Sequence, residues 1–327
     1  MLRWIVILLL LIFFWVGSYF LYFNTQIKSY PQLVRNYVNN LRIFNKDSEV
    51  KLVFTGDNIL ARSVNFLTIQ SGDFGWAYRE IYPFLVKADL TVINLESPLI
   101  SNCPLTNEGF IFCGDKKNII GLSLAGVDIV GMANNHSGDY GLLGLSETSQ
   151  NLNSIGILVS GTLENKIAYK KVNNNKFSFL AFNSIGKEPG VLDSEEQTIK
   201  ILLEEASNNS DFVVVQIHWG EEYTKTITEY QKNMGRFLID NGADLVIGNH
   251  PHWIQDYEIY NGKYILYALG NFVFDQEWSQ ETKEGVIANF TIKNNKVSSL
   301  DFIPVEIRNY GQVFKTNNFD IIPKEIK

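Results

Sequence analysis

Cysteine is nearly absent from this chain of 327 residues: there are two, Cys103 and Cys113. One pair without Cys-x-x-Cys spacing excludes a cysteine-rich zinc module and a multi-bridge disulfide framework. Basic excess is missing too. Lys and Arg number 28 against 35 Asp and Glu, a formal net charge of −7, and no basic run occurs. A nucleic-acid backbone is therefore excluded as the expected partner. Internal repeats and low-complexity tracts are lacking, which excludes a solenoid or a disordered polar chain. A long apolar run occurs once, at residues 4–23. Histidine is the most informative scarcity. There are four, and all fall in three short motifs just behind apolar runs.

The apolar run carries no charge over its whole length. A helix rises 1.5 Å per residue, so about 20 residues cross the roughly 30 Å hydrocarbon core of a bilayer. A cleaved signal peptide is the competing reading, but its apolar part spans about 7–15 residues and precedes small residues. Tyr19, Phe20, Leu21, Tyr22 and Phe23 stand in that place, which favours an uncleaved anchor. Arg3 favours a cytoplasmic amino end, although Lys28 weakens the asymmetry. The expected layout is a short cytoplasmic end (1–3), a transmembrane anchor (4–23), a membrane-proximal stalk (24–46) and an extracytoplasmic domain (47–327). In the stalk, Leu33, Val34, Tyr37, Val38 and Leu41 fall at helical spacing. The expected location is the cell membrane, crossed once. Cys103 and Cys113 can close their loop as a disulfide in an oxidising compartment. Two free thiols are the alternative, and the expected topology favours the disulfide.

Within the domain, strand-like runs at 51–57, 89–94, 127–132, 157–160, 211–217 and 243–247 alternate with helical patterns at 59–69, 78–86, 141–154, 194–206 and 228–241. Two hairpins interrupt the alternation, 168–172 with 176–183 and 255–260 with 264–269. The second turns on Asn261-Gly262, the stronger signal. A third pairing joins 285–293 to 296–304. The mixture predicts an α/β fold with layers around two sheets.

Chemistry gathers behind these strands. Gly56-Asp57 ends the first, and Asn94-Leu95-Glu96-Ser97-Pro98 ends the second. Either alone reads equally well as a polar turn. Asn134-Asn135-His136, with Asp139 and Gly141 just after, is sharper, although a histidine satisfied in the core remains an alternative. His218 ends an apolar run and leads into Trp219-Gly220-Glu221-Glu222. His250-Pro251-His252 follows Leu245-Val246-Ile247-Gly248-Asn249. Residues two apart in an extended segment share a side, so both rings are expected to face one centre. Ligands of open α/β folds collect at the carboxyl ends of strands. Asp57, Glu96, Asn135, His218, His250 and His252 are the expected ligands there. Carboxylates mixed with imidazoles suit a divalent transition metal such as Mn, Fe or Zn. Six donors exceed the need of one tetrahedral ion and point to two ions, a pair able to clamp the oxygens of a phosphoryl group.

The ordered motifs Gly-Asp, Asn-Leu-Glu-Ser-Pro, Asn-Asn-His-x-x-Asp-x-Gly, His-Trp-Gly-x-Glu, Gly-x-His-Pro-His and Leu-Gly-Asn-Phe-Val-Phe-Asp (269–275) resemble the CapA family. These are membrane-anchored proteins of poly-γ-glutamate capsule biosynthesis. The resemblance covers about residues 50–305 of this chain. It implies a layered α/β/β/α sandwich of metallophosphoesterase type, preceded here by one transmembrane helix. It also implies a metal-dependent hydrolase of a phosphoester or related bond, in which His136 is the general acid. Asn134, Asp139, Glu222 and Asn271 would support the ligands. The implied partners are an anionic polymer or phosphoester substrate and a membrane polymer-synthetase complex. A non-catalytic accessory protein that holds the polymer or the complex is the alternative. Three departures from the pattern stand out: Asn58-Ile59 follows Asp57 where Asp-x-His is usual, Glu96 replaces a shorter aspartate, and Asn249 stands where a further histidine is common.

Overall fold

The computed structural model describes residues 33, 34, 36 and 49–326. The anchor read at 4–23, the cytoplasmic end and nearly all of the stalk lie outside the described residues. Among the described residues, no helix is long and apolar enough to cross a membrane.

In chain order, β1 (Glu49–Asn58), α1 (Arg62–Ser71), α2 (Tyr82–Leu85) and β2 (Leu90–Leu95) open the domain. A small pair follows, β3 (Leu99–Ile100) with β4 (Gly114–Asp115), then α3 (Ile119–Leu124), β5 (Val127–Gly131), α4 (Gly141–Ser154) and β6 (Leu158–Ser160). The next stretch runs β7 (Ile167–Val172), β8 (Asn175–Asn183), α5 (Glu196–Asn209), β9 (Phe212–His218), α6 (Glu229–Asp240) and β10 (Leu245–Asn249). Strands then dominate: β11 (Ile254–Tyr260), β12 (Lys263–Leu269), β13 (Asn271–Val273), β14 (Glu284–Lys293), β15 (Lys296–Arg308), β16 (Gln312–Lys315) and β17 (Glu325–Ile326).

Two large sheets result. One is ordered β16-β15-β14-β1-β2-β5-β6, with β13 also paired to β1; the other is ordered β17-β11-β12-β10-β9-β8-β7. Strands β1, β2, β5 and β6 run parallel, as do β8, β9, β10 and β12. Antiparallel strands flank both parallel centres.

The two-residue side-chain period explains the layers. In β1, Leu52 and Phe54 join a core with Phe177, Phe179, Val214, Leu245 and Phe290, which lies between the sheets. Val53 instead joins Val64, Tyr78, Leu122 and Leu152 beneath the helices of the first half. Across β9, Phe212 and Val214 face the first sheet, while Val213, Val215 and Ile217 pack with Ile199, Leu203 and Leu238 of α5 and α6. Strands covered on both faces read as continuous apolar runs rather than alternating ones. Helix α6 starts at a capping box, with Thr228 accepting from the Gln231 N–H and the Gln231 side chain accepting in return.

Local competition shifts several boundaries. The helix read from 59 begins only at Arg62, because Ile59 N–H donates to Val273 O and Leu60 N–H to Ser97 Oγ, prolonging the strand's exit. The helix read at 78–86 shrinks to Tyr82–Leu85, since Pro83 cannot donate and marks a first turn. Helix α3, buried through Ile119 and Leu122, had no periodic signal long enough to read.

Candidate metal centre

The centre forms at the seam where the carboxyl ends of both parallel sets meet. The first sheet supplies Asp57, Glu96 and the loop carrying Asn135 and His136; the second supplies His218, His250 and His252. Asp57 reaches the seam through a bulge. Phe54 pairs with Val92 and Asp57 with Asn94, so three steps along β1 oppose two along β2. The extra residue turns Asp57 to the side that Phe54 faces. Gly56 sits in this bulge against β13, and a Cβ there would lie 2.0 Å from Gly270 O.

Glu96, His250 and His252 offer ligand atoms within 4.8 Å of one another, and so do Asp57, Glu96 and His218. Glu96 belongs to both groups. Its side chain is buried and neither carboxylate oxygen has a hydrogen-bond partner, although His218 Nε2 lies 3.4 Å from Oε1. Oδ1 of Asn135 is also buried and unpartnered. Buried oxygens without donors are costly unless a cation or proton meets them. These unpartnered oxygens and the carboxylates and imidazoles that converge beside them fit a divalent transition metal.

Neighbours orient the ring nitrogens. His218 Nε2 lies 3.1 Å from His250 Nδ1, and His252 Nδ1 lies 2.9 Å from Asn271 Oδ1. Asn271 is itself held by its amide donating to Thr282 O. The expected extended geometry of His250-Pro251-His252 is corrected by the structure. Both histidines have positive φ, 98° and 57°, and the segment bends rather than extends. The bend still gathers the rings, at 6.0 Å between centroids. Backbone held in this region by a non-glycine residue is strained, and such strain clusters at functional sites.

Electrostatics divide the donors. Burial pushes Glu96 up to about 8, reinforced by the adjacent Asp57 charge. Burial also acts to raise Asp57, but His252, His218 and the Asn94 amide hold it down at about 2. Burial depresses His218 to about 3, and burial with His218 and His252 nearby depresses His250 to about 2. Both rings are thereby neutral, the form in which an imidazole coordinates a metal. Burial opposes the charge on His252, yet Glu96 and Asp57 raise it to about 9.

His136 stands at the rim. Its Nδ1 lies 2.9 Å from Asp139 Oδ2, and its ring lies tilted against Phe112, 4.2 Å between centroids. Burial works against its charged form, but Asp139 and the Glu96 charge raise its pKa. Asp139 Oδ2 also accepts the Phe112 N–H at 2.6 Å. Cys103 and Cys113 are joined, closing the loop that carries Phe112. Asn134 is a local brace: its amide donates to Asn94 Oδ1 and Leu95 O, and its oxygen accepts from the His136 N–H and the Ser137 hydroxyl. Glu222 lines the neighbouring groove, and burial together with the Glu222 charge raises Tyr223.

Two residues were missed by sequence reasoning. Asn94 donates to Asp57 Oδ1 at 2.8 Å and lies 3.5 Å from His218 Nδ1. It stood in the motif around Glu96, and its even spacing from Glu96 was the available signal. Tyr223, stacked on His252 at 5.8 Å, carried no signal in the chain. Ile59, at the position of the missing imidazole, is buried with Ala61, Phe112 and Phe274. Asn58, beside Asp57, turns away. Its amide donates to Thr55 Oγ1 and Gly56 O, and its oxygen accepts from the Tyr78 hydroxyl.

Residues 51–276 match the family model described as "Bacterial capsule synthesis protein PGA_cap". The PGA biosynthesis protein CapA of Bacillus subtilis (strain 168) is 31% identical over 277 residues, spanning 80% of this chain and 72% of that protein. The capsule biosynthesis protein CapA of Bacillus anthracis is 27% identical over 284 residues, spanning 80% and 69%. Among solved structures, a phosphatase from Mycoplasma pneumoniae superposes with a TM-score of 0.53 at 14% identity, covering 83% of this chain and 96% of that one. That likeness is one of fold.

Proposed function

The chain belongs to the bacterial capsule synthesis protein family, and on that premise we propose a metal-dependent hydrolase of a phosphoester or related bond. It acts in the biosynthesis of an anionic surface polymer of the poly-γ-glutamate kind. The apolar segment 4–23 anchors it in the cell membrane, with the domain outside. One observation carries the chemistry: the buried, unpartnered Glu96 carboxylate shared between the two ligand groups. Asp57, Glu96, Asn135, His218, His250 and His252 would hold one or two ions of Mn, Fe or Zn.

When bound, such ions polarise phosphoryl oxygens and lower the pKa of water. The protein's own groups do the rest. Asp139 binds His136 Nδ1 and leaves Nε2 as the nitrogen that carries a proton to the departing oxygen. Phe112 covers the imidazole and fixes its plane. Asn271 holds the His252 ring, and Asn94 holds the Asp57 carboxylate. Asp139 and the Glu96 charge favour the protonated form of His136 against the effect of burial, and that is the form an acid requires.

Ile59 favours a second reading. It stands where Asp-x-His would place an imidazole, and its apolar side chain packs with Ala61, Phe112 and Phe274, so the centre gains no ligand there. A non-catalytic accessory protein, holding polymer or synthetase complex through a binding metal, accords with that loss. Elemental analysis and turnover on a generic phosphodiester separate the two. Stoichiometric metal with turnover abolished by His136→Ala supports the hydrolase. Bound metal without turnover on any phosphoester or glutamyl polymer sinks it in favour of the accessory reading.

A further inference from the structure

A groove of about 990 Å³ lies beside the metal centre. One wall is the loop closed by Cys103–Cys113, through Glu108 and Phe110. The facing wall carries Tyr223, Gln276 and Trp278. One ring links it to the centre. Tyr223 stacks on His252 and meets Trp278 edge-on at 4.7 Å. The size lies at the upper end of small-ligand sites, which span roughly 300–1,000 Å³.

The lining has a definite chemistry. Phe110 is 80% exposed and Trp278 59%, and Phe66 and Tyr310 add further bare rings. Such concentration of exposed aromatics marks a binding surface. Arg62 is the basic residue of the lining, and it is spent within the protein. Its guanidinium pairs with Asp275, donates to Gly109 O and lies between the Phe112 and Phe274 rings at 5.1 and 4.9 Å. Asp275 is engaged in turn, also accepting the Ser63 N–H. Glu108 and Glu222 remain as acceptors, so the groove presents negative charge and no free cation.

That set repels an extended polyanion, because like charges meet in a partly desolvated cleft. It matches an uncharged sugar chain. Pyranose rings lay their C–H faces on aromatic faces, and their hydroxyls donate to carboxylates, which only accept. We infer that this groove, beside the metal centre, binds an uncharged oligosaccharide, a ligand distinct from the anionic polymer of the reading above. This binding is measurable independently of any turnover at the centre.

The test is titration of the full chain, metal-loaded and chelated, with cellotetraose and the N-acetylglucosamine tetramer, followed by calorimetry and tryptophan fluorescence. Saturable binding of either tetramer is expected, and it survives chelation. Trp278→Ala and Phe110→Ala each weaken it about tenfold. Both side chains are exposed, so neither variant disturbs the core; Phe319→Ala, on a surface remote in sequence and exposed, controls for nonspecific stacking. Failure of both tetramers to bind overturns the proposal. So does preferential binding of a γ-glutamyl tetramer or of choline, or wild-type affinity in both groove variants. Sugar binding without phosphoester turnover leaves this proposal standing and counts only against the hydrolase.

Discussion

The backbone N–H of His250 donates to Asp57 Oδ2 at 3.2 Å, across 193 residues of sequence. This bond ties the exit of one sheet to the exit of the other. The same carboxylate oxygen lies 3.4 Å from His252 Nδ1. The centre is therefore built from long-range contacts, and its donors come together only when both sheets pack.

Metal content follows directly from this arrangement. His218→Ala and Asp57→Asn are expected to fold and to lose bound metal by elemental analysis. In the wild type, ion at about 100 times its Kd adds roughly 3 kcal/mol of stability, which both variants lack. Wild-type metal content and an unchanged metal-induced melting shift in the variants contradict the ligand assignment.

Removal of the acid should discriminate between substrates. His136→Ala lowers turnover about 10²–10⁴-fold on an alkyl phosphodiester, with metal content retained. The loss shrinks on a nitrophenyl ester, whose leaving group needs no proton. Equal losses on both esters would show that His136 is not the acid.

The disulfide serves both stability and the site. Replacing Cys103 and Cys113 with serine is expected to lower stability by about 2–3 kcal/mol, the entropy of a loop this short. Phe112 adjoins Cys113 and donates to Asp139, which holds His136. Turnover should fall along with stability while metal remains bound. Denaturant melts and elemental analysis of the double variant check this, and an unchanged turnover rules out the link.

Gly56→Ala tests the bulge. The added Cβ meets the backbone Gly270 O at 2.0 Å, which no side-chain rotation relieves, so β1 and the chain entering β13 must separate. A loss of about 3 kcal/mol or more is expected in urea unfolding, with metal binding weakened because Asp57 shifts. Retention of wild-type stability would mean that the bulge yields without strain.

Much of this was legible in the chain. The strands behind Asp57, Glu96, His218 and His250 read correctly because strands buried on both faces are continuous apolar runs. The Asn261-Gly262 turn announced its hairpin, and Asn261 has the positive φ that such turns require. The start of α1 was misread, because backbone bonds from Ile59 and Leu60 to distant strands overrode the helical pattern. Helix α3 was too short for its period to register. Asn94 was visible only as part of a motif, since its bond to Asp57 depends on the pairing of β1 with β2.

The sequence by itself determined the α/β layering, the residue types at the strand ends and the kind of ion they suit. Those follow from local periodicity and from ligand chemistry, which a linear chain carries. Only the tertiary structure decided that two separate sheets share one centre, that a bulge turns Asp57 into it, and that Asn58 turns away. It alone set the left-handed bend at His250 and His252 and the aromatic groove beside them. These depend on register and on contacts between residues far apart, which periodicity along the chain does not encode.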